Sequence, residues 1–343
     1  MKTLYLHIGT HKTGSTSIQE WCSTNVERLL RDGIYYPDFF EHEKGNHSPM
    51  AWAFSGDPRA QSFGTLNDLD ANLKRVTCES ILCSGEEFEF LNDGEVQDVA
   101  SFFDSYNVKV LLFLRPQSEL LRAEYVEWLK QGLTSDQFST YWRLQMTMER
   151  YAYDTLYDRW AKNFGAENVS VVSYPAVARD PMGIAGSVAS WVDIDASDYA
   201  KVQRKNVSPS RLVVESWKYA INKIEFVSGV DYSVSDFMYN ERGRQKRKNM
   251  HRLCRLIEQH LYSSYDNSES FTGYALGEEG QCASFFERSN ANLFSALNKT
   301  LWTSSETCAA PADWGGIPLQ ILLELDELVI DFLREEISPV SVG

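Results

Sequence analysis

The first thirty residues contain the feature that most limits the folds open to this chain. An apolar run at residues 4–8 leads directly into a glycine-rich loop (residues 9–16, Gly-Thr-His-Lys-Thr-Gly-Ser-Thr), and an apolar helical pattern follows through Leu30. A glycine-rich turn between a buried strand and a helix directs successive backbone N–H groups and the positive helix end towards one point. The segment therefore predicts a strand–loop–helix unit that binds an anion.

The alternation of strand and helix patterns continues along the first half of the chain. Strand patterns recur at residues 80–83, 108–114 and 169–173. Helical patterns separate them at residues 95–106, 118–130 and 151–164. Such alternation predicts βαβ units, with the strands in a parallel sheet and helices on both faces. The predicted fold is α/β, a three-layer α/β/α arrangement with a phosphate-binding loop and a central parallel sheet.

The second half of the chain is predicted to be mainly helical. Apolar periodicity predicts helices at residues 182–191, 209–222, 244–261, 285–297 and 319–336, and residues 262–284 and 302–316 favour loops. A chain of 343 residues is long enough for one large domain or two smaller ones. We interpret residues 1–343 as a single domain, in which residues 1–178 form the α/β core and residues 179–343 complete the site.

Composition excludes several classes of protein. With 33 Lys and Arg against 48 Asp and Glu, the formal net charge of −15 argues against a nucleic-acid binder or an anionic-membrane anchor, although one local basic pocket stays open. No uninterrupted apolar stretch approaches the roughly 18 residues of a membrane span. The six cysteines form no C-x-x-C pair, which favours reduced thiols. We expect a soluble, cytoplasmic protein without a signal peptide or a metal site.

The spacing inside the glycine-rich loop bears on nucleotide hydrolysis. The NTPase pattern requires lysine directly after the second glycine and a hydroxyl beside it for Mg²⁺. Here Gly9 and Gly14 have the right separation, but Ser15 follows Gly14 and the lysine, Lys12, lies inside the loop. This pattern disfavours a conventional Mg-nucleotide hydrolase. A small-molecule kinase of the phosphate-binding-loop class and a non-catalytic nucleotide- or glycan-binding protein remain as alternatives.

Two segments of the chain carry a resemblance to a known family. Residues 7–19 (His-Ile-Gly-Thr-His-Lys-Thr-Gly-Ser-Thr-Ser-Ile-Gln) resemble the 5′-phosphosulfate loop of sulfotransferases, especially the bacterial carbohydrate-type branch. Residues 113–125 are similar to that family's second donor-binding element, in which an arginine ends a central strand. The resemblance implies transfer of a sulfuryl group from 3′-phosphoadenosine 5′-phosphosulfate, here called the donor, to an acceptor hydroxyl, with a carbohydrate as the expected acceptor.

The resemblance also implies which residues bind the donor. Lys12 would stabilise the leaving phosphate oxygen, and no metal is required. Arg115 would bind the 3′-phosphate, with Ser118 replacing the family's usual serine because position 123 holds Ala123. The remaining donor contacts are expected from the loop and from a basic segment that resembles the family's closing loop, namely His11, Thr13, Gly14, Ser15, Thr16, Ser17, Arg204 and Lys205. The loop hydroxyls have helix capping as an alternative role.

An acceptor hydroxyl also needs a general base within reach. Glu86 follows the strand pattern at residues 80–83, where the sequence resembles a Ser-x-Glu signature of bacterial members, and Glu87 and Glu89 compete with it. His47 is the second candidate, in a loop that the family often places over the acceptor. Glu86 and His47 therefore stay open as alternatives, and so does the oligomeric state.

Overall fold

The structure is a computed structural model. It describes residues 1–179, 182–200, 208–228, 241–265, 269–275, 277–303 and 316–337. The predicted donor-binding residues Arg204 and Lys205 lie outside the described residues.

A parallel sheet forms the centre of the fold, as the sequence predicts. Within the described residues it contains five strands in the order β2-β3-β1-β4-β5, all parallel. The strands are β1 (Thr3–His7), β2 (Ile34–Tyr35), β3 (Ser80–Ser84), β4 (Asn107–Leu114) and β5 (Val169–Ser173). The two-residue edge strand β2 was not predicted, because two residues are too short for a periodic signal.

The α-helices of the described part are numbered in chain order. They are α1 (Ser15–Thr24), α2 (Val26–Arg31), α3 (Ser48–Ser55), α4 (Leu66–Arg75), α5 (Asp93–Phe102), α6 (Gln117–Lys130), α7 (Phe138–Gln145), α8 (Tyr153–Phe164), α9 (Tyr174–Ala178), α10 (Gly183–Trp191), α11 (Arg211–Ser228), α12 (Glu241–Ser264), α13 (Glu278–Phe285), α14 (Glu287–Leu297) and α15 (Leu319–Ile337). A 3-10 turn at Glu86–Phe90 follows β3.

By their internal contacts the residues divide into two compact units. The first contains Met1–Pro116, Met148–Lys205 and Phe285–Glu306, and the second contains Gln117–Thr147, Asn206–Ser284 and Thr307–Gly343. Each unit is therefore built from three separate segments of the chain. The single-domain interpretation stays a prediction.

In the first unit, both faces of the sheet are covered. Residues 110–114 of β4 are completely buried, although alternate side chains of a strand point to opposite faces. On one face, Leu111 and Phe113 belong to a core cluster with residues of α1 and α10. Helix α8 contacts β4 and β5 and is itself packed on α5. This layering confirms the predicted α/β/α arrangement and leaves the carboxyl ends of the strands for the loops.

The second unit consists of packed helices. Helix α11 contacts α6, α12 and α15. Helix α15 buries Ile321, Leu325 and Val329 at a helical spacing, so the predicted amphipathic helix at residues 319–336 is confirmed. Residues 278–284 of helix α13 lie where loop was predicted, and that part of the prediction was wrong. None of the described helices has the length and apolar character needed to cross a lipid bilayer.

Candidate functional site

The glycine-rich loop is tied to the central strand β4. Thr10 donates its backbone N–H and its hydroxyl to the Phe113 carbonyl, at 3.2 and 3.1 Å, and the Phe113 N–H donates to the Gly9 carbonyl at 2.9 Å. The Thr13 hydroxyl, which is fully buried, donates to the Thr10 carbonyl. These bonds fix the path of the loop, so the buried Thr13 hydroxyl shapes the loop from inside.

The loop leads into α1, and in the described part of the chain the first backbone N–H groups of this helix have no side-chain cap. Gly14 is the N-cap residue with φ 88°, and within the described residues no side chain caps this helix end and no acidic residue lies in its first turn. The loop hydroxyls therefore do not serve as the N-cap. Lys12 also has a left-handed backbone, with φ 57°. An uncapped helix start after a glycine is an anion-binding geometry, because the first-turn N–H groups have no intrahelical acceptor.

Arg115 joins the second sequence element to the loop. It directly follows β4, and its Nη1 donates to the Lys12 carbonyl at 3.1 Å. Its guanidinium carbon lies 5.2 Å from the ring centroid of Tyr174, and a Cβ placed on Gly14 would lie 3.4 Å from the same ring. The Tyr153 hydroxyl donates to the Arg115 carbonyl at 2.9 Å. The predicted anion-binding residues Gly14 and Arg115 therefore lie beside Tyr174, and Arg115 is joined to Lys12 through its backbone carbonyl.

Glu86 lies against the glycine-rich loop with its carboxylate held from two sides. One oxygen accepts from Gln19 Nε2 at 2.7 Å and the other accepts from Asn46 Nδ2 at 3.2 Å. A Cβ placed on Gly9 would lie 3.3 Å from the Glu86 Cα. Gln19 belongs to α1, so the helix that begins at the loop also orients this carboxylate. No sequence pattern indicated Gln19 or Asn46 as partners of Glu86.

His47, the other candidate base, is a buried residue whose ring contacts the backbone just before Glu86. Its side chain is 0% exposed, Nε2–H donates to the Pro37 carbonyl at 3.0 Å, and Nδ1 accepts the Ser84 N–H at 3.2 Å. Burial lowers the pKa of His47 to about 4. With both ring nitrogens engaged inside the protein, the geometry argues against His47 as a general base and favours Glu86.

His7 is the last residue of β1 and is fully buried beside the loop. Its Nδ1 lies 2.8 Å from the Ser84 hydroxyl, and its ring packs edge-on against Phe113. Burial lowers the pKa of His7 to about 3. The imidazoles of His7 and His47 therefore stay neutral and support the end of β3.

His11 contacts the two carboxylates that competed with Glu86. Its Nδ1 lies 2.5 Å from Glu89, and its Nε2 lies 3.9 Å from Glu87. Glu89 is 3% exposed and also pairs with Arg150 at 3.3 Å. Glu87 accepts from the Trp52 indole N–H at 3.1 Å. These contacts make Glu89 an interior ion-pair partner, and Arg150 is a site residue that no sequence pattern indicated.

Ser118 belongs to the second unit, at the start of α6. It is 2% exposed, its carbonyl accepts from the Tyr274 hydroxyl at 2.9 Å, and its own hydroxyl has no hydrogen-bond partner among the described residues. Its predicted role toward the donor stays a prediction.

Within the described residues, no three His, Cys, Asp or Glu side chains are grouped so that they could hold a metal ion.

Comparisons with known proteins give one structural likeness. A crystal structure of a sulfotransferase from Alicyclobacillus acidocaldarius matches with 18% sequence identity and a TM-score of 0.41, covering 67% of this chain and 97% of that one. No family model matches the sequence. No curated protein matches it either.

Proposed function

We propose that this chain is a sulfotransferase that moves a sulfuryl group from 3′-phosphoadenosine 5′-phosphosulfate to a hydroxyl, on a carbohydrate acceptor. The observation that carries the proposal is the bond between Arg115 and the Lys12 carbonyl. It joins the two segments that resemble sulfotransferase donor-binding elements, which lie 103 residues apart in sequence. A donor with phosphates at both ends of a ribose requires such a pair of anion-binding groups.

In this proposal the loop binds the sulfated end of the donor. The backbone N–H groups that follow Gly14, the hydroxyls of Thr16 and Ser17 and the side chain of His11 face the 5′-phosphosulfate, and Arg115 binds the 3′-phosphate. The Lys12 ammonium is assigned to the bridging oxygen because this lysine lies inside the loop, between the two glycines. An ammonium group at that oxygen stabilises the negative charge that develops there as the transferred group departs.

The proposed reaction is an in-line displacement at sulfur. The acceptor oxygen forms a bond to sulfur while the bond from sulfur to the 5′-phosphate oxygen breaks, and the electron pair of that bond stays on the phosphate. The acceptor's proton passes to the Glu86 carboxylate. Two amide donors, from Gln19 and Asn46, support this assignment because they orient an ionised carboxylate without neutralising its charge. The products are a sulfate ester and adenosine 3′,5′-bisphosphate.

Calorimetric titration tests the proposal directly. We expect adenosine 3′,5′-bisphosphate to bind without a metal ion, and ATP with Mg²⁺ to bind at least tenfold more weakly. Tighter binding of Mg-ATP would replace the proposal with a phosphate-binding-loop kinase. Binding of neither nucleotide would leave the non-catalytic alternative.

A further inference from the structure

The proposed mechanism makes no use of Glu89, a buried carboxylate beside the glycine-rich loop. Its side chain is 3% exposed, and it lies in the same 3-10 turn as Glu86. A buried negative charge next to an anion-binding loop repels the anion unless cations compensate it. The partners of Glu89 therefore decide what this carboxylate contributes.

Glu89 binds His11 at two points. One oxygen lies 2.5 Å from His11 Nδ1, and the other accepts the His11 backbone N–H at 3.2 Å. Arg150 Nη2 donates to the first oxygen at 3.3 Å. The carboxylate thus fixes both the backbone and the ring of a loop residue, and the ring is still 27% exposed.

The charges around the His11 ring favour its protonated form. Glu89 faces Nδ1, and Glu87 lies 3.9 Å from Nε2, so each nitrogen has a carboxylate beside it. Burial and the nearby Arg150 lower the pKa of His11, but the charge and hydrogen bond of Glu89 and the charge of Glu86 outweigh them, and the pKa is raised. Lys12, the next residue in the chain, is a further cation of this loop.

Building on the proposed function, we propose that Glu89 is a positioning residue that holds His11 as an imidazolium beside Lys12, so that the loop presents two adjacent cations to the donor. Protonated His11, Arg150 and ionised Glu89 together carry one net positive charge. The same three groups are neutral overall when His11 loses its proton. Donor affinity is therefore highest while His11 is protonated and falls as pH rises through the titration of His11.

The experiment follows His11 and the ligand separately. NMR titration of the histidine ring protons between pH 5.5 and 9, assigned with a His11→Asn variant, gives the inflection of His11 in the wild type and in Glu89→Gln. Calorimetry with adenosine 3′,5′-bisphosphate between pH 7 and 9 gives the affinity. The second ionisation of a phosphate monoester has its midpoint near pH 6, so the ligand's charge is nearly constant between pH 7 and 9.

We expect the wild-type inflection above the ordinary histidine value of about 6.5, and a lower inflection in Glu89→Gln than in the wild type. We expect the bisphosphate dissociation constant to increase about threefold to tenfold as wild-type His11 loses its proton. In His11→Asn, which has no imidazole at this position, the bisphosphate dissociation constant should not show this dependence on pH. Glu87→Gln is the control. Glu87 lies 3.9 Å from His11 Nε2, farther than Glu89 lies from Nδ1, so its removal should lower the His11 inflection by less than Glu89→Gln does.

An unchanged His11 inflection in Glu89→Gln overturns the proposal, and so does an affinity loss in that variant that is equal at every pH. The wild-type titration decides the charge of His11 even if Glu89→Gln fails to fold. If the wild type binds no bisphosphate at any pH, the proposed function fails together with the donor half of this proposal. The NMR inflection still reports separately whether Glu89 keeps the ring charged.

Discussion

Lys12 is the residue on which the proposed chemistry most depends. Its backbone is left-handed and its carbonyl accepts from Arg115, so its place in the loop is fixed independently of its side chain. Truncating the side chain should therefore remove the ammonium group and leave the loop's path intact.

We expect Lys12→Ala to lower kcat for sulfuryl transfer by about 10²- to 10³-fold, the usual loss when one donor to a developing anion is removed. Initial rates with a sulfated donor and an acceptor sugar measure this loss. Lys12→Arg keeps the charge and should retain more activity than Lys12→Ala. Transfer within threefold of wild type in a folded Lys12→Ala protein contradicts the assigned role.

Glu86 provides the second residue-scale prediction. Glu86→Gln removes the proton acceptor and nearly preserves the side chain's volume, so we expect kcat to fall about 10²- to 10⁴-fold while bisphosphate affinity stays within about threefold. The matched control is Glu87→Gln, one position along the same turn. If both variants lose equal activity, or neither does, another group accepts the proton.

The site could be predicted only in part at this scale. Lys12 and Arg115 belong to local patterns that are visible in one sequence. Gln19 and Asn46, by contrast, meet Glu86 from 67 and 40 residues away, and each makes one hydrogen bond to that carboxylate. Nothing in the local sequence around an amide records such a partner, because only the fold creates the contact.

At the scale of elements, prediction succeeded where burial imposes a strong pattern. Strand β4 is apolar on both faces because helices cover both, and its sequence predicts a central strand. Helices α3 and α4 were not predicted. In α4 the signal was present, because Leu66, Leu69 and Leu73 recur at helical spacing after the N-cap residue Thr65. The short edge strand β2 is defined by its pairing with β3, which is a tertiary contact.

Gly85 controls how two of these elements meet. Its φ of −153° suits any residue, but a Cβ there would lie 2.8 Å from the backbone nitrogen of Ser48 and 2.9 Å from the His47 carbonyl carbon. The start of α3 therefore packs directly on the backbone that precedes Glu86. A methyl group at Gly85 has to push these backbones apart.

We expect Gly85→Ala to lower the free energy of unfolding by about 1–3 kcal/mol, as overpacking does, and to lower kcat by displacing Glu86. Urea denaturation and initial rates measure the two effects. Gly94→Ala is the control, because its Cβ would meet only Asn92 Oδ1 at 3.4 Å, an ordinary contact. Equal stability of the two variants would show that the backbones separate without cost.

At the scale of the whole molecule, buried histidines make stability depend on pH. Burial lowers the pKa of His7 to about 3 and that of His47 to about 4, whereas an unfolded chain has histidine values near 6.5. Below pH 6.5 the unfolded state therefore binds protons that the folded state excludes. The raised pKa of His11 acts in the opposite sense. The stabilisation that protonated His11 gives to the folded state is complete below pH 6.5 and is lost at higher pH.

We expect the free energy of unfolding to fall as pH decreases from 6.5 to 5, approaching about 1.4 kcal/mol per pH unit for each of the two buried histidines. Urea denaturation at half-unit intervals of pH measures this slope. His47→Asn should reduce the slope by about half and lower stability at pH 7 through its lost hydrogen bonds. If the free energy of unfolding changes with pH by the same slope in the wild type and in His47→Asn, His47 is not a neutral, buried histidine.

Gln19 connects the anion-binding end of α1 to the Glu86 carboxylate. It lies about one helical turn beyond Ser15, so a single rigid helix offers its first N–H groups at one end and clasps the Glu86 carboxylate from its side. Two groups carried by one rigid body keep their spacing when surrounding loops move. When the loop that carries Asn46 moves, the Glu86 carboxylate therefore keeps a hydrogen bond to the same helix whose first N–H groups face the anion site.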